Sequence, residues 1–300
     1  MSLIFDVKRY AINDGPGIRV TIFLKGCPLS CVWCHNPESI EKTVEKLFTS
    51  SKCIGCNACV ESCENHACTL TDQGILTDTN VCLLCEKCAE VCPTGATQMS
   101  GTQYQVDEIM DIIKKEITVM DQSEGGVTFS GGEPLFHHEL LIQLLDACGK
   151  EEIHRCIDTT GFTTPQKLLE VASLCEHFLY DLKVMDDAKH KQYTGVSNAQ
   201  ILSNLQLLAT TNVNINIRIP LISGVNDDDE NIHQTAQFIK SLKKALVMVN
   251  ILPYHNIAQK KYEKLGKISH FIKMEEPDKM RQKKIIELFN SYGIDAVIGG

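Results

Sequence analysis

Cys27, Cys31 and Cys34 form a C-x3-C-x2-C run, read directly as CPLSCVWC. Three thiolates can hold three irons of a [4Fe–4S] cluster. The fourth iron then has no protein ligand and stays open to a small molecule. A closed electron-transfer cluster takes four cysteines, so a run of three points to chemistry at the open iron. The alternative is a zinc site completed by His35.

Two more runs follow. Residues 53–63 read CIGCNACVESC and residues 82–93 read CLLCEKCAEVCP, each C-x2-C-x2-C-x3-C. This is the bacterial two-cluster ferredoxin pattern, in which the fourth cysteine of each run ligates the other cluster. One closed [4Fe–4S] cluster is therefore expected at Cys53, Cys56, Cys59 and Cys92, and another at Cys63, Cys82, Cys85 and Cys88. A pair of zinc ribbons is the alternative, but those seldom place three cysteines within seven residues. Eleven of the fifteen cysteines lie in the three runs. Cys148, Cys156 and Cys175 sit among apolar residues and are expected as small buried hydrophobes. Cys68 has no place in either four-cysteine pattern.

Other residues carry chemistry at apparent strand ends. Gly131-Gly132-Glu133-Pro134 offers close backbone approach and a carboxylate suited to an ammonium group; alone it also reads as a common turn. Asp158-Thr159-Thr160-Gly161 and Asp181-Leu182-Lys183 place carboxylates where they could share a cation or form structural ion pairs. Arg218 lies among isoleucines and needs an anionic partner. Trp33 stands between two cysteines, as a core residue or a ring for stacking. Tyr254-His255 could pack a flat heterocycle. His137-His138 lacks metal spacing and reads as the start of a helix.

These groups need a frame. Apolar runs at 20–24, 126–130, 155–158, 178–182, 214–219 and 247–252 read as strands, buried on both faces of a parallel sheet. Helical patterns lie between them at 106–120, 138–148, 165–174, 199–209 and 229–242, with a last one at 278–292. Repeated βα units imply a parallel sheet with right-handed crossovers, and six suit an incomplete (β/α)6 barrel better than a closed eightfold one. Active groups on such a frame sit at the C-terminal ends of strands, where each candidate above falls. Residues 51–100 break the rhythm and are expected to form a separate small domain, leaving 1–50 and 101–300 as the barrel. Bound clusters would supply folding energy that so small a core lacks.

The 300 residues carry 43% hydrophobic and 22% charged residues and a net charge of −9. No basic stripe for nucleic acid is present. No apolar run is long enough to span a membrane. With Asp6 and no long apolar stretch near the N-terminus, no signal peptide is expected. Reduced thiols in a cytoplasmic monomer are the expectation. Lys260, Lys261, Lys264 and Lys267 read as a solvated face.

Together, Asp14-Gly-Pro-Gly-Ile-Arg19, CVWCHNPES around the first run, the inserted cysteine runs, GGEP, DTTG, YDLK and LPYH resemble the glycyl-radical-enzyme activating enzymes of the radical S-adenosylmethionine (SAM) superfamily. The resemblance spans nearly the whole chain and includes the forms with an inserted ferredoxin-like domain. It implies that Cys27, Cys31 and Cys34 hold the SAM-binding cluster. Glu133, with Gly131 and Gly132, would meet the SAM amino group, and Arg218 its carboxylate. Trp33, Pro220, Leu252 and His255 would surround the adenine. Asp158, Thr159, Asp181 and the Leu179 carbonyl would hold a monovalent cation beside SAM. Asp14 and Lys183 would contact the glycyl peptide. The proline at 220 departs from the family pattern. The implied reaction is reductive cleavage of SAM to a 5′-deoxyadenosyl radical. That radical takes a hydrogen from a glycine α-carbon of a partner glycyl radical enzyme, with flavodoxin or ferredoxin as electron source. A radical SAM maturase or methyltransferase acting on another peptide or small molecule is the competing reading. An electron carrier fused to an inert barrel is a third.

Overall fold

The computed structural model describes residues 3–242, 244 and 248–300. The strands are β1 (Leu3–Ala11), β2 (Arg19–Leu24), β3 (Glu45–Phe48), β4 (Cys68–Thr71), β5 (Gly74–Thr77), β6 (Thr97–Ser100) and β7 (Thr102–Gln103). They continue with β8 (Gly126–Gly131), β9 (Arg155–Thr159), β10 (His177–Asp181), β11 (Asn214–Leu221), β12 (Met248–Pro253) and β13 (Ala296–Ile298). The helices are α1 (Ala58–Glu61), α2 (Lys87–Glu90), α3 (Val106–Lys114), α4 (Ile117–Gln122), α5 (His138–Lys150) and α6 (Pro165–Ala172). After these come α7 (Asp187–Thr194), α8 (Ala199–Leu208), α9 (Asp229–Ser241), α10 (Gln259–Lys264) and α11 (Lys279–Ser291).

Nine strands form the main sheet in the order β13-β12-β11-β10-β9-β8-β2-β1-β7. From β2 to β13 the neighbours run parallel. β1 and β7 add an antiparallel margin beyond β2. The six expected strands are all present; the Val247 end of the last one lies outside the described residues. A seventh parallel strand, β13, is too short to have a readable period.

The strands alternate more strictly than their composition implies. Side chains of one face, such as Val20, Ile22, Phe129, Ile157, Phe178, Ile217 and Ile251, enter one large apolar core with the helices. The opposite face is polar. Arg19, Thr21, Thr128, Ser130, Asp158, Asp181, Asn216, Arg218 and Asn250 share it by strand register. Both faces are enclosed, but only one is apolar.

Aspartates start several helices. The Oδ1 atoms of Asp228 and Asp278 accept from the amides of Asn231 and Arg281 at 2.9 and 2.8 Å, which satisfies first-turn donors of α9 and α11. The single helix expected over 106–120 is two. At Glu116 the backbone leaves helical angles (φ −109°, ψ 6°). Its amide donates to the Ile113 carbonyl at 3.0 Å, and its side chain pairs with Arg9.

The cysteine-rich segment is closed at its base by β3 and β6, which pair from Glu45↔Ser100 to Phe48↔Thr97. It carries the β4–β5 hairpin and the short helices α1 and α2, which pack on each other. The two helices start alike. Asn57 and Glu86, each following the second cysteine of its run, hold left-handed backbone with φ 66° and 68°. The base is tied to the main sheet by charge. Glu45 accepts from the fully buried Lys25 at the end of β2 (2.8 Å) and from Lys267 (2.6 Å). Lys261 likewise pairs with Glu38, so two of the four lysines read as a solvated face are structural.

Candidate active site

The loop after β2 carries the first cysteine run and is pinned on two sides. Gly26 and Cys27 amides donate to the Ser39 and Ile40 carbonyls at 2.7 and 3.0 Å. Ser30 and Val32 amides donate to the Thr194 and Tyr193 carbonyls at 2.8 and 3.0 Å. The GGEP turn is laid against the same loop. Gly132 and Glu133 amides donate to the carbonyls of Leu24 and Gly26. A side chain on Gly131 (φ +117°) would lie 2.2 Å from the Leu24 carbonyl oxygen, and one on Gly132 would lie 2.4 Å from that of Gly26. The two glycines thus permit close packing on the cysteine loop.

Cys27, Cys31 and Cys34 are half-buried. Burial pushes all three thiols up, Cys34 to about 12. Such thiols ionise only beside strong positive charge, which ligation to iron provides. Lys183 lies beside Cys31 and Cys27. Burial opposes its charge, but Asp181 and those sulfurs outweigh it, and its pKa is raised. His35 is engaged with His255. Its Nε2 meets the His255 carbonyl at 3.1 Å, and its ring stacks on His255 at 4.6 Å. Trp33 packs with Val184, Ile222, Val225 and Tyr254, as a core residue.

Glu133 is fully buried. Oε1 accepts from the Leu135 amide (3.1 Å) and Thr159 Oγ1 (2.6 Å), and Oε2 from the Thr160 amide (2.8 Å) and hydroxyl (2.5 Å). A carboxylate has about four acceptor positions, and all are taken. The carboxylate expected to greet an ammonium group instead braces the turn after β9.

Across the polar face, Asp158 Oδ2 accepts from Ser130 Oγ at 2.7 Å and lies 3.3 Å from Arg218 Nη1. Asp181 pairs with Lys183 at 2.7 Å. Leu179 is in register with Asp158, and Asp181 with Arg218. Burial and the facing Asp181 hold the Asp158 carboxyl above its usual range, partly offset by Arg218 and Ser130. Arg218 is the mirror case. Burial opposes its charge, but Asp158, Asp181 and Asp14 raise its pKa. Its Nη1 is buried and donates no hydrogen bond. An unsatisfied guanidinium donor level with Asp181, the last residue of β10, is suited to a carboxylate. Asp14 Oδ2 accepts from Thr21 Oγ1 at 2.8 Å. Pro220 and Leu252 are paired on β11 and β12.

In the cysteine-rich segment, Cys53, Cys56, Cys59 and Cys92 line one cavity, and Cys63, Cys82, Cys85 and Cys88 line a second. Each set combines three cysteines of one run with the last of the other. The two sets thus surround two separate spaces. Cys68 lines the second cavity, a role the motif spacing gave no sign of. Cys148, Cys156 and Cys175 are buried, as expected.

The Radical SAM superfamily profile matches residues 21–236. The chain belongs to the radical SAM superfamily. It is 39% identical over 301 residues, 99% of each chain, to a trans-4-hydroxy-L-proline dehydratase activating enzyme of Clostridioides difficile. It is 36% identical over 305 residues, 99% of this chain and 97% of the relative, to a 4-hydroxyphenylacetate decarboxylase activating enzyme of Clostridium scatologenes. A crystal structure of a domain of a pyruvate-formate lyase-activating enzyme from Bacteroides vulgatus aligns with TM-score 0.51 and 41% identity, over 59% of this chain and 99% of that one. Within the superfamily, the chain is one of the glycyl-radical-enzyme activating enzymes.

Proposed function

We propose that this activating enzyme works with three [4Fe–4S] clusters: a SAM-binding one on Cys27, Cys31 and Cys34, and two closed ones in a ferredoxin-like insertion spanning about residues 51–100. The observation that carries the reading is the buried, unsatisfied Nη1 of Arg218, at the same end of the sheet as the cysteine loop. When bound, the first cluster and SAM supply the reductive cleavage that yields the 5′-deoxyadenosyl radical, which activates the partner by removing a glycine α-hydrogen.

The chain's own residues bind, orient and shield. Arg218 takes the SAM carboxylate in exchange for its loose contact with Asp158. Glu133 would have to release Thr159 or Thr160 to reach the amino group; otherwise it holds the Thr159–Gly161 turn against the site. Trp33, Pro220, Leu252 and His255 border the adenine. Asp158, Thr159, Asp181 and the Leu179 carbonyl could take a monovalent cation once Asp158 and Asp181 loosen from Arg218 and Lys183. Asp14 and Lys183 would contact the glycyl peptide. The crossed cysteine sets around the two cavities support the closed clusters, whose part is to bring electrons from flavodoxin or a ferredoxin. Among the described residues no helix is long and apolar enough to cross a membrane, and all fifteen cysteines are free thiols. Both features suit a reducing cytoplasm. We take the monomer as the working unit.

The test is anaerobic incubation of reconstituted enzyme with SAM, a reductant and candidate glycyl radical enzymes, read by electron paramagnetic resonance (EPR). A glycyl radical formed with an equivalent of 5′-deoxyadenosine supports the reading. Turnover of SAM with a modified small molecule and no protein radical in any candidate would favour a different radical SAM activity.

A further inference from the structure

The two cavities of the insertion differ in charge. The one lined by Cys53, Cys56, Cys59 and Cys92 has no Lys, Arg, Asp or Glu in its wall. The other has Lys46. Lys46 is half-buried on β3, and its ammonium is held in place. It donates to Thr77 Oγ1 at 2.8 Å and to Cys68 Sγ at 3.2 Å. Cys68 and Thr77 stand directly opposite each other on the β4–β5 hairpin. The anchor is therefore a cross-strand pair, and Cys68, 4% exposed, is one half of it. Lys46 shares the cavity wall with Cys82 and Cys88 as well as with Cys68. Lys87 and Glu86 also line this cavity, but Lys87 is paired with Glu64 and all three are exposed, so solvent screens them.

We propose that Lys46, anchored by Cys68 and Thr77, makes the cluster of Cys63, Cys82, Cys85 and Cys88 the more easily reduced of the two in the insertion. The proposal rests on the reading that both cavities hold [4Fe–4S] clusters. Reduction adds one negative charge to a cluster, and a fixed cation beside it favours that state. Net charge and hydrogen bonding around a cluster are among the factors that set its potential. The electron would then rest at the Lys46 side of the insertion.

The test is a redox titration of the reconstituted full chain followed by EPR, with SAM added to mark the signal of the Cys27 cluster. Lys46→Met should lower one of the two remaining midpoints by at least a tenfold change in the reduction constant, about 59 mV for one electron. The other midpoint should stay in place, and Lys46→Arg should keep both. Cys68→Ala and Thr77→Val, which leave the ammonium but free it, should lower the same midpoint by less. Midpoints unchanged in Lys46→Met, or all shifted together, overturn the proposal. If Lys46→Met loses iron, unchanged midpoints in both anchor variants overturn it instead. Wild-type enzyme with about four irons and no insertion signals would reject the underlying cluster assignment, an outcome separate from an unmoved potential.

Discussion

Arg218 Nη1 lies 3.3 Å from Asp158 Oδ2 and yet donates no hydrogen bond. A buried guanidinium that leaves a donor unused next to a carboxylate is poised for a second anion. Charge-assisted hydrogen bonds contribute about 1.5–3 kcal/mol, so Arg218→Met should weaken SAM binding by about tenfold to a hundredfold. The perturbation that SAM causes in the cluster's EPR signal gives the titration. Unchanged affinity with intact iron would remove Arg218 from the SAM site.

Gly131 has no space for a side chain against the Leu24 carbonyl and holds φ +117°. Gly131→Ala should therefore displace the loop that carries Cys27. Backbone strain of this kind costs about 1–3 kcal/mol before the clash is counted. Iron should fall from about twelve to about eight per chain, with the insertion clusters retained. Full iron and normal SAM cleavage in Gly131→Ala would show that the glycine is dispensable.

Cys56→Ala should cost one insertion cluster and leave SAM binding intact. SAM cleavage driven by flavodoxin should fall sharply, while dithionite, which reaches the first cluster directly, should restore much of the rate. Full activity with flavodoxin would make the insertion a structural or docking unit. Its exposed Glu61, Glu64, Asp72, Asp78, Glu86 and Glu90 would then point to a partner with a basic surface.

His177 faces the same polar interior as Arg19. Burial and the neighbouring His154 lower its pKa to about 4, against a hydrogen bond with Asn216 that favours the charge. In the unfolded chain it titrates near 6.5. Between those values the unfolded state binds more protons, so stability rises with pH there and is lost as pH falls from about 6.5 towards 4. His177→Gln should flatten that loss in denaturant titrations by up to about 3 kcal/mol. An equal pH slope in wild type and variant would show that His177 does not titrate as assigned.

The six strands, the two crossed sets of four cysteines and the placing of Glu133, Asp158 and Asp181 at or near strand ends were legible in runs of a few residues, because spacing fixes which side chains a tight loop brings together. What could not be read depends on register between distant strands. The polar inner face emerges only when Asp158, Leu179 and Asn216 are set side by side. The same holds for Glu133, which turns inward to Thr159 and Thr160, and for Cys68, whose partner Lys46 is on another strand. β13 and the antiparallel β1 are too short or too irregular in pattern to announce themselves.

The most direct test of the central claim is SAM cleavage by Cys31→Ala under dithionite, with iron and zinc counted in the same sample. Wild-type enzyme should form 5′-deoxyadenosine and methionine with about twelve irons, and the variant should form neither product while keeping about eight. Measurable 5′-deoxyadenosine from the variant, or one zinc per wild-type chain in place of the first cluster, would contradict the account.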